Sequence, residues 1–349
     1  MSAASLATAA VRTPVAAIAH WLQHETRARE VRITRLERLP GGAIQENWTL
    51  DVTFVGGEWA GAHEWVLRTD APSFVAASLT RSQEFAVLRV AHANGVIVPR
   101  PLFVCTDDTV TGRQFFVMKR IPGIAAGHLL TRDPGLIPDG EALAKTLGAN
   151  LARLHAIAPP QPALDRILPP PRSNHALATV ADYRAYVDTL HDAHPALEWA
   201  LRWCEIHAPT PAAPTLIHRD YRTGNYMVDA GRLTGVLDWE FAGWGDPSED
   251  LGWFTARCWR FARPDLEAGG IARSEAFLDG YEGASGRQVT RRDLQYWQVM
   301  AHIRWTIIAL QQAQRHLAGG ERSLELALTG RIVHELEYEA IAIIAEARQ

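Results

Sequence analysis

The first third of the chain alternates hydrophobic and polar positions with the period of a β-strand. Trp48, Leu50, Val52 and Phe54 are hydrophobic, and the residues between them are Thr or Asp. A period of two is typical of a strand with one buried face. Alternation of this kind, bounded by turn residues, predicts strands over 31–39, 48–54, 64–68, 98–105 and 114–121. Helical spacing of the hydrophobic positions predicts a helix over 80–93.

From about residue 124 onward, the hydrophobic positions recur with the period of a helix. Leu143, Leu147, Leu151 and Leu154 form one stripe within residues 141–157. Similar stripes predict helices over 291–313 and 322–347, and a short strand-rich insert covers 216–237. We therefore predict an α+β protein with two lobes. Residues 1–121 form an N-terminal antiparallel sheet lobe with helices, and residues 122–349 form a mostly helical C-terminal lobe.

Composition narrows the class of protein. The chain has 349 residues, and its formal net charge of -4 argues against a protein whose main task is to hold nucleic acid. Three widely spaced cysteines, Cys105, Cys204 and Cys258, predict neither a disulfide framework nor a zinc site and fit a reducing compartment. No signal peptide and no bilayer-spanning stretch is apparent, so we expect a cytoplasmic protein without a membrane partner.

Polar residues suited to phosphate chemistry gather between His218 and Asp238. Asp220 and Asn225 lie five residues apart in a loop between two short apolar strands. A hairpin over the next thirteen residues returns the chain to Asp238, so we expect the three side chains to form one oxygen-rich pocket. Phosphoryl transfer depends mainly on positioning and on stabilising charge on phosphate oxygens, with Mg²⁺ bridging the phosphates.

Five polar residues of this segment have predicted roles. Asn225 and Asp238 are the predicted metal ligands, because Mg²⁺ prefers a few protein oxygens together with nucleotide phosphates. Asp220 suits the position beside an acceptor hydroxyl, as the catalytic base. Arg222 and His218 complete the predicted catalytic set: Arg222 would reach the transferred phosphate, and His218 is favoured to orient the loop by hydrogen bonding. The alternative is a polar network that merely holds a loop.

The order His-x-Asp-x-x-x-x-Asn, followed by an apolar strand that ends in Asp238, resembles the aminoglycoside phosphotransferase and choline kinase superfamily. The run Asp238-Trp-Glu240 resembles, within it, the branch of phosphotransferase domains related to those fused to animal acyl-CoA dehydrogenases. The resemblance covers roughly residues 30 to 310 and implies the bilobal protein-kinase-like fold. Arg219 departs from this branch, which has glycine at that position, and makes the loop read His-Arg-Asp.

The resemblance also implies a nucleotide site for ATP or GTP. The glycine turn Gly41, Gly42, Ala43 and Ile44 would fold over the phosphates with its backbone N–H groups. Arg68 stands where kinases have a lysine and would anchor phosphates, with Glu84 as its partner. The alternative is a surface arginine at a strand end. The predicted hinge, with backbone groups that meet the purine edge, is formed by Met118, Lys119 and Ile121.

The acceptor is expected to be a small molecule with a hydroxyl, bound by the second lobe. Six tryptophans follow the catalytic loop there, and core packing is favoured over an acceptor role for most of them. Arg257, Arg260 and Arg263 favour an anionic acceptor over a polycationic one, and the resemblance implies a hydroxylated acid or acyl-CoA.

Asp246 and Asp250 are expected to cap turns or helix starts. For Glu240, a contact with the metal or the acceptor and a purely structural place in a polar loop are equally favoured.

Four functions fit this reading. A metabolite kinase is favoured. An aminoglycoside or other antibiotic phosphotransferase and a non-catalytic nucleotide-binding pseudokinase remain as alternatives, although the intact Asp220, Asn225 and Asp238 argue against the latter. A protein kinase is disfavoured, since Trp-Glu rather than Phe-Gly follows Asp238 and no Ala-Pro-Glu follows.

Overall fold

The computed structural model describes residues 15–40, 45–71, 78–319 and 323–347. The chain divides into two units. The first comprises residues up to Phe85 together with Arg100–Arg120, and the second comprises Ala86–Pro99 and the chain from Ile121 onward. The predicted glycine turn, residues 41–44, lies outside the described residues. The predicted lobe boundary after residue 121 stays a prediction.

The alternating segments of the first unit fold into one antiparallel sheet in the order β1-β2-β3-β5-β4. Leu50, Val52 and Phe54 are buried, as their alternation predicts, and they pack with Ile18 and Leu22 of the first helix. The elements are α1 (Val15–Thr26), β1 (Glu30–Arg38), β2 (Gln45–Val55), β3 (Gly61–Asp70), α2 (Arg81–Ala93), β4 (Pro101–Cys105) and β5 (Phe115–Lys119).

The second unit is mostly helical, with short strands inserted in its middle. Its helices are α3 (Gly127–Leu130), α4 (Gly140–His155), α5 (His175–Val187) and α6 (Pro195–His207), then α7 (Pro247–Thr255), α8 (Ser274–Ser285), α9 (Arg291–Leu317), α10 (Leu324–Arg331) and α11 (Val333–Glu346). Its strands are β6 (Thr215–Ile217), β7 (Tyr226–Asp229), β8 (Arg232–Val236) and β9 (Gly243–Gly245). The prediction of an α+β protein with an antiparallel N-terminal sheet and a helical C-terminal region is confirmed.

The helical region differs from the prediction in two ways. Helices α3, α5, α6, α7 and α8 were not predicted. In α5, for example, the buried residues Ala176, Val180 and Val187 do not form a continuous hydrophobic stripe. The single helix predicted over 322–347 is wrong within its described part, since α10 and α11 are separate helices that meet at Ile332.

Helices α4 and α8 approach so closely that their backbones touch at glycines. A Cβ atom on Gly148 would lie 2.0 Å from the carbonyl oxygen of Phe277, and one on Gly280 would lie 2.1 Å from that of Lys145. This approach brings His155, at the end of α4, within hydrogen-bond distance of Tyr281 on α8 (Nδ1 to hydroxyl, 3.0 Å). Helix α4 also contacts the loop that follows β6, because the hydroxyl of Tyr221 donates to the carbonyl oxygen of Leu147 at 2.9 Å.

Candidate active site

The loop between β6 and β7 and the hairpin after it bring the predicted catalytic and metal-binding positions together. The backbone N–H of Leu237, which follows β8, donates to the carbonyl oxygen of Asn225 at 2.7 Å. Asp238 is the next residue, so the hairpin register sets it beside Asn225 along the backbone. Asp238 has a φ of 60°, the left-handed conformation in which non-glycine residues are uncommon and often functional.

The Asp220 carboxylate is held by hydrogen bonds on both oxygens. Its Oδ1 accepts from Nε of Arg222 at 3.1 Å and from the indole Nε1 of Trp253 at 2.9 Å. Its Oδ2 accepts from the side-chain amide nitrogen of Asn225. The side chain is 16% exposed, so a reactant can reach it. A carboxylate fixed in this way has a defined direction in which it can accept a proton.

The same contact fixes the orientation of the Asn225 amide. Because its nitrogen faces Asp220, its oxygen points the other way and is free of that contact. Within the part of the chain that the structure describes, there is no group of three His, Cys, Asp or Glu side chains that could hold a metal ion. The amide oxygen of Asn225 and the carboxylate of Asp238 are the kind of ligand that Mg²⁺ takes beside nucleotide phosphates, and their role as metal ligands stays a prediction.

His218 is enclosed below the loop. Its Nε2 lies 2.8 Å from the carbonyl oxygen of Leu237 and acts as the donor, while Nδ1 accepts from the backbone N–H of Asp220 at 3.1 Å. Burial lowers the pKa of His218, and the nearby carboxylates of Asp250 and Asp220 offset part of that effect. A neutral ring with both nitrogens engaged favours the orienting role over direct proton transfer.

Asp250 anchors the backbone of the loop from below. It is completely buried on α7 and accepts from the backbone N–H groups of His218 and Arg219, both at 2.7 Å. Its Oδ2 also lies 3.1 Å from Nε2 of His155. The capping prediction is confirmed for Asp246, which accepts from Ser248 N at the start of α7. It is confirmed for Asp250 as well, which accepts from two backbone N–H groups of the turn after β6 and not at a helix start.

Arg219 occupies the position of the expected glycine in the conformation that glycine favours. Its φ is 64°, which costs a non-glycine residue on the order of 1 kcal/mol. Three contacts hold it there: its N–H on Asp250, its carbonyl oxygen accepting from Arg304, and its guanidinium donating to the carbonyl oxygen of Trp244 at 3.1 Å. These contacts explain how an arginine is accommodated at this turn.

In the first unit, Arg68 and Glu84 form a buried ion pair with Arg68 Nε and Glu84 Oε1 3.0 Å apart. Both side chains are nearly inaccessible, at 4% and 2% exposed, which excludes a surface position for Arg68. Glu84 also pairs with Arg81, and Arg68 donates to Asn47 Oδ1 at 3.4 Å. The pairing of Arg81 with Glu84 was not predicted, because it depends on the position of both residues in the first turn of α2 and not on a sequence motif.

The remaining predicted nucleotide residues are divided between the units. Arg68 pairs across the sheet with Phe116, and Val66 pairs with Met118, so Arg68 and Met118 project from the same face. Lys119 follows on the opposite face and is exposed. Ile121 belongs to the second unit. Gly41, Gly42, Ala43 and Ile44 lie outside the described residues.

A depression adjoins the Asp220 carboxylate through one tryptophan. Trp253 forms part of its wall and bonds Asp220 from its indole edge. The depression is lined by residues of three helices, α5, α7 and α9: Thr179, Tyr183, Glu249, Trp253, Trp297, Met300, Ala301 and Arg304. Most of this wall is apolar or aromatic, and a polar end is formed by the charged and hydroxyl groups.

The polar end of the depression carries charges of both signs. Arg304 Nη1 lies 3.8 Å from Glu249 Oε1, and His175 Nε2 lies 2.5 Å from Glu249 Oε2. Burial alone would raise the pKa of Glu249, but the hydrogen bond from His175 and the charges of Arg219 and Arg304 overcome this and lower the pKa to about 2. Glu249 is therefore ionised and neutralised by its own partners.

The three arginines that favoured an anionic acceptor are engaged in holding the fold. Arg257 pairs with Glu339 and Glu346, at 2.8 and 2.6 Å. Arg260 donates to the carbonyl oxygens of Thr255 and Pro264, and Arg263 donates to that of Thr131. This basis for the prediction is wrong, because each guanidinium already has partners within the second unit.

The sequence matches the model of the phosphotransferase enzyme family over residues 35–287. Among curated proteins, acyl-CoA dehydrogenase family member 11 of Rattus norvegicus is 24% identical over 339 residues, which cover 90% of this chain and 43% of that protein. The Homo sapiens protein of the same name is 26% identical over 289 residues, covering 79% and 36%. The chain thus spans less than half the length of these relatives.

Solved structures share the fold. A crystal structure of a putative aminoglycoside phosphotransferase from Ralstonia eutropha JMP134 superimposes with a TM-score of 0.75 at 20% identity, covering 96% of this chain and 99% of that one. Aminoglycoside phosphotransferase APH(4)-Ia, solved in a ternary complex with ADP and hygromycin B, gives a TM-score of 0.60 at 17% identity and covers 94% and 98%. The protein-kinase-like fold and the resemblance stated from the motifs are both confirmed.

Among the described helices, none has the length and apolar character needed to cross a bilayer.

Proposed function

This chain belongs to the phosphotransferase enzyme family, and from that premise we propose that it is a small-molecule kinase that transfers the γ-phosphoryl group of ATP or GTP to a metabolite hydroxyl. The observation that carries the proposal is the Asp220 carboxylate, fixed by Arg222, Trp253 and Asn225 and still accessible. A merely structural aspartate in a polar network would not need to remain open to solvent.

The residues of the second unit divide the reaction between them. The acceptor oxygen bonds to the γ-phosphorus as the bond to the β–γ bridging oxygen breaks, and the hydroxyl proton passes to Asp220. Arg222 stabilises charge on the transferred group. Asn225 and Asp238 would hold Mg²⁺, which supplies charge neutralisation at the phosphate oxygens when bound. His218 and Asp250 keep the loop in place.

For the donor, the buried Arg68–Glu84 pair supports a phosphate anchor in the first unit. The guanidinium stays charged at any physiological pH and offers several donors to phosphate oxygens. Asn47 and Glu84 fix its orientation, so little side-chain freedom is lost on binding. The ADP complex of a structural neighbour supports a nucleotide donor for this fold.

For the acceptor, the depression beside Trp253 favours a small molecule with an apolar body and an anionic end. The wall of this depression is mostly apolar or aromatic, so it suits part of an acyl chain better than a polycationic aminoglycoside. Among its described lining residues, Glu249 is the single acid and is already neutralised. Arg304 is the single cation among these described residues. It contacts Glu249 only at 3.8 Å and donates to the carbonyl oxygen of Arg219, and its remaining N–H groups would meet a carboxylate or thioester carbonyl, as in a hydroxylated acid or acyl-CoA.

The acceptor class is tested by a transfer assay with ATP and GTP side by side in the presence of Mg²⁺. The panel contains 3-hydroxybutyrate, its CoA thioester, hygromycin B and choline, and products are identified by mass spectrometry. We expect a phosphorylated hydroxy acid or thioester and no phosphorylated hygromycin B. Phosphorylation of hygromycin B alone would replace this acceptor class. Nucleotide binding that is independent of Mg²⁺, without any transfer, would favour the pseudokinase.

Replacing Arg68 by Ala is expected to raise the nucleotide KM by roughly 10- to 100-fold, which corresponds to the loss of a hydrogen bond to a charged group. Arg68→Lys should recover part of this affinity, since it restores the positive charge. The matched control is Arg35→Ala, which removes an exposed arginine paired with Glu37 in the same unit. Initial-rate kinetics at varied ATP measure the effect. An unchanged nucleotide KM in a folded Arg68→Ala protein would remove Arg68 from the phosphate site.

A further inference from the structure

Helix α7 directs two side chains at the catalytic loop from the same face. Asp250 and Trp253 are three residues apart, a spacing that places side chains on one side of a helix. Asp250 holds the loop backbone through His218 and Arg219. Trp253 reaches the side chain of Asp220 itself, with Nε1 at 2.9 Å from Oδ1. One helix therefore controls both the position of the loop and the direction of its carboxylate.

The indole of Trp253 is held on both sides. The guanidinium of Arg304, on α9, lies 4.5 Å from the centre of its ring, and the ring of Trp259 lies 5.2 Å away. Arg222, the other donor to Oδ1, stacks on Trp259 at 4.4 Å. Because Trp253 is only 2% exposed, the indole has little freedom to turn. The direction of its N–H bond is thereby fixed before any substrate binds.

Burial in this region does not by itself provide an indole with a partner. The Nε1 atoms of Trp259 and Trp297 are buried and have no hydrogen-bond partner among the described residues. Both rings lie close to Trp253 or line the same depression. The hydrogen bond of Trp253 is therefore a specific feature of that position and not a general result of packing tryptophans.

We propose that Trp253 is a positioning residue for phosphoryl transfer, whose indole N–H locks the Asp220 carboxylate in the orientation that accepts the hydroxyl proton. The inference rests on the proposed function, in which Asp220 is the base. Without the N–H, Oδ1 retains one donor, Arg222, and the carboxylate can rotate away from the acceptor.

The change of Trp253 to Phe isolates the N–H donor, because the phenyl ring keeps an aromatic face for Arg304 to stack on. Arg222, the other donor to Oδ1 of Asp220, is unchanged. A fall in kcat of that variant would therefore report the lost N–H donor.

The test compares Trp253→Phe with Trp203→Phe, which makes the same chemical change in a buried tryptophan of α6 that packs on His207 and Tyr296. Rates are measured with ATP, Mg²⁺ and the most active acceptor of the transfer panel, or with water as acceptor where none is active. For Trp253→Phe, we expect kcat to fall by about 10- to 100-fold with the nucleotide KM unchanged. Trp253→His, which keeps a ring N–H, should recover part of the lost kcat. Trp203→Phe should match the wild type in both kcat and KM.

Thermal unfolding of each variant is measured alongside. A Trp253→Phe enzyme with wild-type kcat, beside an inactive Asp220→Ala enzyme, overturns the positioning role and leaves the proposed function intact. A folded Trp253→His enzyme as slow as Trp253→Phe would also overturn it and indicate packing alone. Wild-type turnover in Asp220→Ala removes Asp220 as the base, and the positioning role with it. A wild-type protein that transfers phosphate to no acceptor and not to water removes the proposed function and the positioning role together. If Trp253→Phe does not fold, Trp253→His is compared with the wild type directly, and a kcat as low as that of Asp220→Ala overturns the role.

Discussion

Replacing Asp220 by Ala is expected to lower kcat by about 10²- to 10⁴-fold, the usual contribution of a positioned general base. The hydroxyl proton then has no acceptor at the correct distance, and Arg222, Trp253 and Asn225 lose their common partner. Nucleotide binding should persist, because Arg68 in the first unit and the proposed metal ligands Asn225 and Asp238 are retained. Single-turnover kinetics with ATP and calorimetry of nucleotide binding separate these two effects.

The matched control for this substitution is Asp229→Ala. Asp229 lies at the end of β7, four residues after Asn225, and its side chain is exposed. The substitution therefore removes a carboxylate from the same hairpin without touching the loop, and turnover should match the wild type. Equal turnover in Asp220→Ala would contradict the assignment of Asp220 as the base, whatever the acceptor is.

The grouping of Asp220, Asn225 and Asp238 could be predicted because all three lie within one short stretch of chain. A loop followed by a hairpin has a local register, and the bond from Leu237 N to Asn225 O closes it. The pairing of Arg68 with Glu84 followed from the kinase resemblance, and their burial strengthens it. Sequence reasoning was reliable where the contact depended on neighbours along the chain or on a motif.

The supports of the loop could not be predicted in the same way. Asp250 is separated from its loop partners by 31 and 32 residues, and Trp253 from Asp220 by 33. Arg304 and Arg219 are 85 residues apart. Such contacts depend on how α7 and α9 pack, and no periodicity within either helix reveals them. The error over Arg257, Arg260 and Arg263 has the same origin, since their carboxylate and carbonyl partners are not adjacent in a recognisable pattern.

Replacing Asp250 by Asn is expected to lower both stability and activity, because this buried carboxylate holds the backbone of the loop that carries Asp220. The amide keeps one oxygen for either His218 N–H or Arg219 N–H, but its nitrogen must then face the other donor. The buried pairing with His155 loses its charge as well. We expect the free energy of unfolding to fall by roughly 2–4 kcal/mol, the range for breaking a buried network by changing one partner.

The consequence for activity follows from the position of Arg219. Its left-handed backbone is held in part by the bond to Asp250, so releasing that bond lets the segment that carries Asp220 relax. We expect kcat to fall by about 10²-fold, since small misplacements of a catalytic group have effects of that size. Urea unfolding followed by circular dichroism measures the stability, and Asp279→Asn, an exposed position on α8, serves as control. Wild-type stability in Asp250→Asn would mean that the loop is held by its other contacts, through Arg304 and Trp244.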